Sequence, residues 1–210
     1  MSFLRKPFRY RYDNAVFIII GINVLVYLGQ MFLRQLDLTF YLSLIPLAIM
    51  KGWFWQFVTY MFVHDPGSMT HIIFNMLALF IFGTQVERRI GSREFILFYF
   101  TVGILAGVFS FGVYLFTGSY RIMLMGASGA IFGVQLAYAA LFPDSIIYIW
   151  GILPVRAPIL VLGFTALGLV FMVTGRGGNV AHITHLAGFA FGWLYFVIRF
   201  GINPWRAMRR

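Results

Sequence analysis

The sequence predicts an all-α membrane protein with six transmembrane helices, and two observations support this fold class. Hydrophobic residues make up 61% of the 210 residues, and charged residues only 10%. So few charged side chains cannot cover a water-facing surface, which excludes a soluble domain. Cutting the chain at every charged residue leaves six uncharged windows, each long enough to cross a hydrocarbon core of about 30 Å as a helix. These windows are 14–33, 66–86, 95–120, 122–143, 157–175 and 177–198.

Three shorter uncharged windows, 38–50, 52–64 and 145–155, cannot cross as helices, so we assign them to loops. The first loop, from Arg34 to Thr70, is long and rich in aromatic residues. Because aromatic rings favour the headgroup level, we expect this loop to lie in the membrane interface. The chain has no cysteine, which excludes disulfides, thiolate metal sites and a cysteine nucleophile.

The distribution of positive charge predicts the orientation. With six spans both termini share one side, and that side receives twelve of the Lys and Arg residues, whereas the other receives only Arg34, Lys51, Arg121 and Arg176. The positive-inside rule therefore places both termini in the cytoplasm. We divide the chain into a basic cytoplasmic segment (1–13), a six-helix membrane domain (14–200) and a basic cytoplasmic tail (201–210). The basic residues form no dedicated basic domain, so we expect no nucleic-acid partner.

Polar residues share one depth in three spans that run in the same direction. His71 lies 16 residues before Glu87, Ser128 lies 16 before Asp144, and His185 lies 14 before Arg199. A rise of ~1.5 Å per residue puts all three about 21–24 Å above the inner boundary. Asn75 is one helical turn deeper than His71, on the same face. Such residues either join helices by hydrogen bonds or perform a function, and four in one layer favour function.

Ser128 has the surroundings of a nucleophile. It lies in Gly126-Ala-Ser-Gly129, which allows a tight turn and puts the serine at a helix start, where free N–H groups can stabilise an oxyanion. Small residues four apart in spans four and six predict close packing of these helices. That packing brings His185 to Ser128 as a general base, and Phe132 could orient the imidazole by stacking.

The sequence contains two further histidines, His64 and His182. His182 competes with His185 as the base, but it lies about 4.5 Å nearer the outer water. We expect His64 in the wet external loop. All acidic residues lie at the ends of the uncharged windows. We therefore expect no carboxylate as the third member of a catalytic triad, and a Ser-His dyad is favoured. For the same reason we expect neither a metal nor another cofactor.

At these residues the chain resembles the rhomboid intramembrane serine proteases over nearly its full length. The matching motifs are His71-Ile-Ile-Phe-Asn75, Gly126-Ala-Ser128-Gly129, His185-x-x-Gly188-x-x-x-Gly192 and Glu87-Arg-Arg89. The resemblance implies Ser128 as nucleophile, His185 as general base, and His71 and Asn75 as oxyanion donors. Gln56 stands where the family commonly has Arg, which puts a loop-anchoring contact in doubt, and Phe132 stands where relatives often have Tyr.

We therefore expect a rhomboid-like bundle that cleaves membrane-spanning proteins near the outer bilayer edge. Its partners would be transmembrane substrates and the lipid bilayer, and the resemblance points to a bacterial inner membrane. A rhomboid-like pseudoprotease that binds clients without cutting them is the alternative, although retention of both Ser128 and His185 disfavours it. A small transporter would require an intramembrane carboxylate or inverted halves, and neither is found in the sequence.

Overall fold

The computed structural model describes residues 5–149, 151–174 and 179–209, and it is a bundle of long apolar helices. The helices are α1 (Ala15–Phe32), α2 (Met69–Ile90), α3 (Ser92–Phe116), α4 (Ser128–Leu141), α5 (Ala157–Thr174) and α6 (Asn179–Tyr195). A π-helical turn, Phe196–Phe200, continues α6, and another, Leu79–Gly83, lies within α2. The six uncharged windows thus correspond to six helices, which confirms the predicted fold class.

Among the described residues, four helical stretches are long and apolar enough to cross a membrane: Ala15–Phe32, Met69–Ile90, Ser92–Phe116 and His182–Phe200. The fourth uncharged window is 122–143, and the sequence placed a helix start at Ser128 within it; α4 does begin at Ser128. Residues 122–126 before it are not helical, and Gly126 has a φ of +116° that favours glycine. Backbone bonds from Leu124 to Leu44, and from Gly126 N–H to the Tyr60 carbonyl, replace the missing helical bonds. Non-helical backbone at this depth is tolerated because the protein itself satisfies it.

The connections contain short regular elements. Short helices occur at Leu38–Leu42, Pro46–Ile49, Gln56–Thr59 and Pro204–Ala207, with 3-10 turns at Arg34–Leu36 and Tyr60–Phe62. The window 145–155, which we assigned to a loop, instead forms an antiparallel hairpin of β1 (Ile146–Ile149) and β2 (Leu153–Arg156), with Ile146 opposite Arg156. Gly151 supplies a positive φ in its turn, and Ile147 and Val155 pack against the core.

Buried carboxylates join several helices at one end of the bundle. Glu87 at the end of α2 accepts hydrogen bonds from the N–H groups of Ala15 (2.6 Å) and Val16 (3.0 Å), which caps the start of α1. Glu94 pairs with Arg199 through two bonds of 2.7 and 3.0 Å and also accepts one from the Phe8 N–H. The segment before α1 and the end of α6 therefore meet at the same end of the bundle.

The helix that carries Ser128 lies in the middle of the bundle. Ten of its fourteen residues are buried, from Gly129 to Ala140. A Cβ atom at Gly192 of α6 would lie 2.8 Å from the Gly133 Cα, and one at Gly188 would overlap the Gly129 carbonyl. The predicted close packing of these two helices is therefore present, and it depends on glycine at the points of contact.

Candidate active site

The structure brings the predicted nucleophile and base together. Ser128 is the first residue of α4, and its Oγ lies 2.7 Å from Nε2 of His185 on α6. The two residues are 57 positions apart in the chain. The glycine contact between α4 and α6 lies one turn away and sets the short distance between their backbones. A serine hydroxyl hydrogen-bonded to an imidazole is the geometry that lets the imidazole accept the hydroxyl proton.

The His185 ring is held by a stacking contact. The Phe132 ring lies parallel to it, with centroids 4.4 Å apart and an interplanar angle of 9°. Phe132 is one helical turn after Ser128, so one helix supplies both the hydroxyl and the stacking partner. The His182 ring lies edge-on to His185 at 6.1 Å. The histidine within hydrogen-bond distance of Ser128 Oγ is His185.

His71 and Asn75 lie on the opposite wall of the same cavity. A Cβ atom at Gly126 would lie 3.0 Å from His71 Nε2, so the imidazole borders the turn that leads to Ser128. The Asn75 side-chain amide donates to the His71 carbonyl oxygen at 3.0 Å, and Asn75 is buried. All four predicted site residues line one cavity of about 490 Å³. Gly126, Phe132, Gln135, His182 and Thr184 also line it.

Sequence reasoning missed Gln135. Its side chain lines the cavity and is 8% exposed, and its Oε1 has no hydrogen-bond partner among the described residues. Gln135 is seven positions after Ser128, which is two turns along the same helix face. A polar residue at that spacing is a signal that the sequence did contain. A water molecule or substrate group in this cavity could bond to this amide.

His64 lies in the first loop as expected, but the expectation that it would be exposed to water was wrong. Its side chain is fully buried, and its ring packs edge-on against His71 with centroids 5.1 Å apart. The side chain of Gln30 on α1 holds the backbone of His64: it donates to the carbonyl (2.8 Å) and accepts from the N–H (3.2 Å). Burial, with a smaller contribution from His71, lowers the pKa of His64 to about 4, so the ring is neutral at pH 7.

Gln56 anchors the first loop although it stands where the family commonly has Arg. It is fully buried, its Oε1 accepts from the Ile45 N–H at 3.0 Å, and its Nε2 donates to the Tyr41 carbonyl at 3.2 Å. A neutral amide can both donate and accept, which suits a site that offers one backbone N–H and the carbonyls of Phe40 and Tyr41. Gln56 therefore still anchors the first loop, although the family commonly has Arg at this position.

The comparisons with known proteins all point to the same family. The family model described as Rhomboid domain matches residues 51–202. The chain is 31% identical over 150 residues to the putative rhomboid protease YdcA of Bacillus subtilis, covering 70% of this chain and 68% of that protein. It is 32% identical to rhomboid-like protease 2 of Toxoplasma gondii (71% and 49% covered) and 34% identical to rhomboid protease AarA of Providencia stuartii (55% and 46%). The chain thus matches about half the length of the last two.

Proposed function

Because the chain belongs to the rhomboid family of membrane proteins, in which several relatives are named proteases, we propose that it is an intramembrane serine endopeptidase. Its substrates are membrane-spanning proteins, which it cleaves near the outer edge of the bilayer. The observation that carries this proposal is the 2.7 Å distance between Ser128 Oγ and His185 Nε2 in a cavity lined by further polar groups.

The reaction begins with the Ser128–His185 pair acting as a dyad. His185 Nε2 accepts the hydroxyl proton while Oγ attacks the carbonyl carbon of the scissile bond. His185 then gives that proton to the leaving amine, and an acyl-enzyme remains on Ser128. Water enters from the external side and attacks the acyl carbon while it gives a proton to His185. The bond to Ser128 Oγ then breaks, His185 returns the proton to Oγ, and the second product leaves. The stacked Phe132 ring supports this role because it limits the orientations of the imidazole.

The oxyanion of the tetrahedral intermediate lies between α4 and α2. Ser128 is the first residue of its helix, so its own N–H and those of the next residues lack helical partners. The His71 imidazole and the Asn75 amide line the same cavity and are the side-chain donors in this proposal. One Asn75 N–H bonds to the His71 carbonyl, and the second remains for the substrate oxygen.

The orientation of the chain completes the proposal. Both termini lie in the cytoplasm, which the charge asymmetry of the loops supports. The active-site cavity then faces the outer leaflet, and a substrate helix must unwind before its carbonyls reach Ser128, since helical carbonyls are already hydrogen-bonded. Substrates with glycine, proline or other poor helix formers at this depth should be cleaved fastest.

The test compares matched variants of the purified full chain. A single-span reporter substrate should be cleaved by the wild type and not by Ser128→Ala. A fluorophosphonate probe should label Ser128, and the label should be lost in His185→Ala and kept in His182→Ala. Equal cleavage by wild type and Ser128→Ala would refute the proposal. Binding of the reporter by a wild type that does not cleave it would instead identify a client-binding protein.

A further inference from the structure

A second groove opens on the side that the charge pattern assigns to the exterior. It has a volume of about 430 Å³ and lies between the first loop and the residues that precede α4. Its apolar lining includes Phe40, Ile45, Ala48 and Trp53, and two cations, Lys51 and Arg121, line it as well. None of its lining residues lines the cavity that contains Ser128, so the groove is a separate feature of the surface.

The two cations have no anionic partner in the part of the chain that the structure describes. Both are exposed, and neither forms an ion pair with a described residue. Only four Lys and Arg residues fall on this side of the membrane, and two of them share this groove. Placing two positive charges beside an apolar groove favours a ligand that is anionic at one end and apolar at the other.

We propose that this groove binds an anionic phospholipid of the outer leaflet, with its phosphate at Lys51 and Arg121 and an acyl chain along Ile45, Ala48 and Trp53. Basic pockets beside membrane helices bind acidic headgroups, and tryptophan favours the headgroup level. A free phosphate would use the cations but leave the apolar lining in water. A zwitterionic lipid would use the lining but gain little from the two charges.

The groove also borders the backbone that leads to the active site. Leu44 and Leu124 exchange two backbone hydrogen bonds of 2.9 and 3.0 Å. Their neighbours Ile45 and Met123 line the groove, and Gly126, two residues after Leu124, contacts His71. A lipid seated here therefore braces the first loop against the segment before Ser128. We expect it to raise the thermal stability of the protein.

The experiment measures lipid binding in the full-length Ser128→Ala chain, so that its result does not depend on catalysis. Native mass spectrometry in detergent gives the affinities for dioleoylphosphatidylglycerol and dioleoylphosphatidylcholine. Lys51→Gln and Arg121→Gln should each weaken phosphatidylglycerol binding roughly fivefold, and the double variant more. Arg34→Gln removes a charge from the same side, but Arg34 does not line the groove. This control should bind as the parent does.

A second measurement does not require the charge variants. Brominated phosphatidylglycerol should quench tryptophan fluorescence more strongly than brominated phosphatidylcholine, and Trp53→Phe should remove that difference. Equal affinity for the two lipids, or an equal loss in Arg34→Gln, would overturn the proposal. If glycerol phosphate displaced phosphatidylglycerol, the groove would bind the phosphate alone and not the lipid. If the charge variants bound lipid as the parent does but no longer bound a substrate with acidic residues beside its membrane span, the groove would be a substrate site instead.

Discussion

Gly188 of α6 lies directly against the backbone of Gly129 in α4, so that a Cβ atom at Gly188 would overlap the Gly129 carbonyl oxygen. The contact is one turn from the hydrogen bond between Ser128 and His185. The distance between hydroxyl and imidazole is therefore set by a contact between two glycines.

Gly188→Ala should separate these helices. We expect a loss of about 1–3 kcal/mol in unfolding free energy from overpacking. Turnover should fall roughly 10²-fold because the dyad is displaced by about 1 Å. Gly112→Ala in α3 is the control, since a Cβ there meets nothing within 4 Å. Reporter cleavage and unfolding in mixed detergents measure both effects, and equal behaviour of the two variants would contradict this account.

Phe132 should act through the orientation of His185. Phe132→Ala removes a stacked ring and should lower kcat about 2- to 10-fold with little change in KM. Phe132→Tyr keeps the ring and should retain activity. Phe109→Ala deletes an aromatic residue that is half-exposed on α3 and should leave kcat unchanged. Steady-state kinetics on one substrate would decide, and a KM effect alone would show that Phe132 contacts substrate instead.

Asn75→Ala should lower kcat roughly 10²-fold if its amide donates to the oxyanion. Because Asn75 also bonds to the His71 carbonyl, melting temperature must be measured alongside the rate. An oxyanion donor predicts a fall in kcat with KM unchanged, in a variant that remains folded at the assay temperature. Gln85→Ala removes an exposed amide from the same helix and serves as the control. An unchanged kcat would make Asn75 a purely structural residue.

Gln56→Leu should destabilise the first loop. It leaves the Ile45 N–H and the Tyr41 carbonyl without their Gln56 contacts, which we expect to cost about 2 kcal/mol in unfolding free energy. Gln35→Leu makes the same exchange at an exposed position and should cost little. Limited proteolysis between α1 and α2 would report the loosened loop. Identical digestion of both variants would show that the anchor is dispensable.

His64 should make stability depend on pH. Its pKa is lowered by burial from 6.5 to about 4, so the unfolded chain binds more protons between these values. Its contribution, up to about 3 kcal/mol, is fully present above pH 6.5 and is lost as pH falls to 4. His64→Phe keeps a ring that cannot titrate. Unfolding free energies measured from pH 8 to pH 4 should fall less steeply in the variant, and parallel curves would disprove this assignment.

Local patterns in the sequence predicted much of the fold. Uncharged windows placed the helices because only a long apolar helix satisfies its backbone in lipid, and the first window, 14–33, differs little from the helix Ala15–Phe32. Glycine-flanked Ser128 was predicted at a helix start and is the first residue of α4. Both predictions rest on neighbours in the chain.

Contacts between distant segments could not be predicted in this way. Apolar composition gave no sign that Leu124 would pair its backbone with Leu44, or that the Gly126 N–H would bond to the Tyr60 carbonyl. Likewise, His64 follows a run of residues typical of an interfacial loop, yet Gln30 of α1 draws its backbone into the bundle. Each departure comes from a partner at least 30 residues away.

The sequence by itself predicted six long apolar helices and a common depth for His71, Ser128 and His185, because hydropathy and helical rise depend on neighbouring residues alone. Only the tertiary structure decided that His185 bonds to Ser128, that Phe132 stacks on His185 and that Gln56 ties down the first loop. Those outcomes depend on how closely whole helices pack, and packing is decided by side chains that meet from separate parts of the chain.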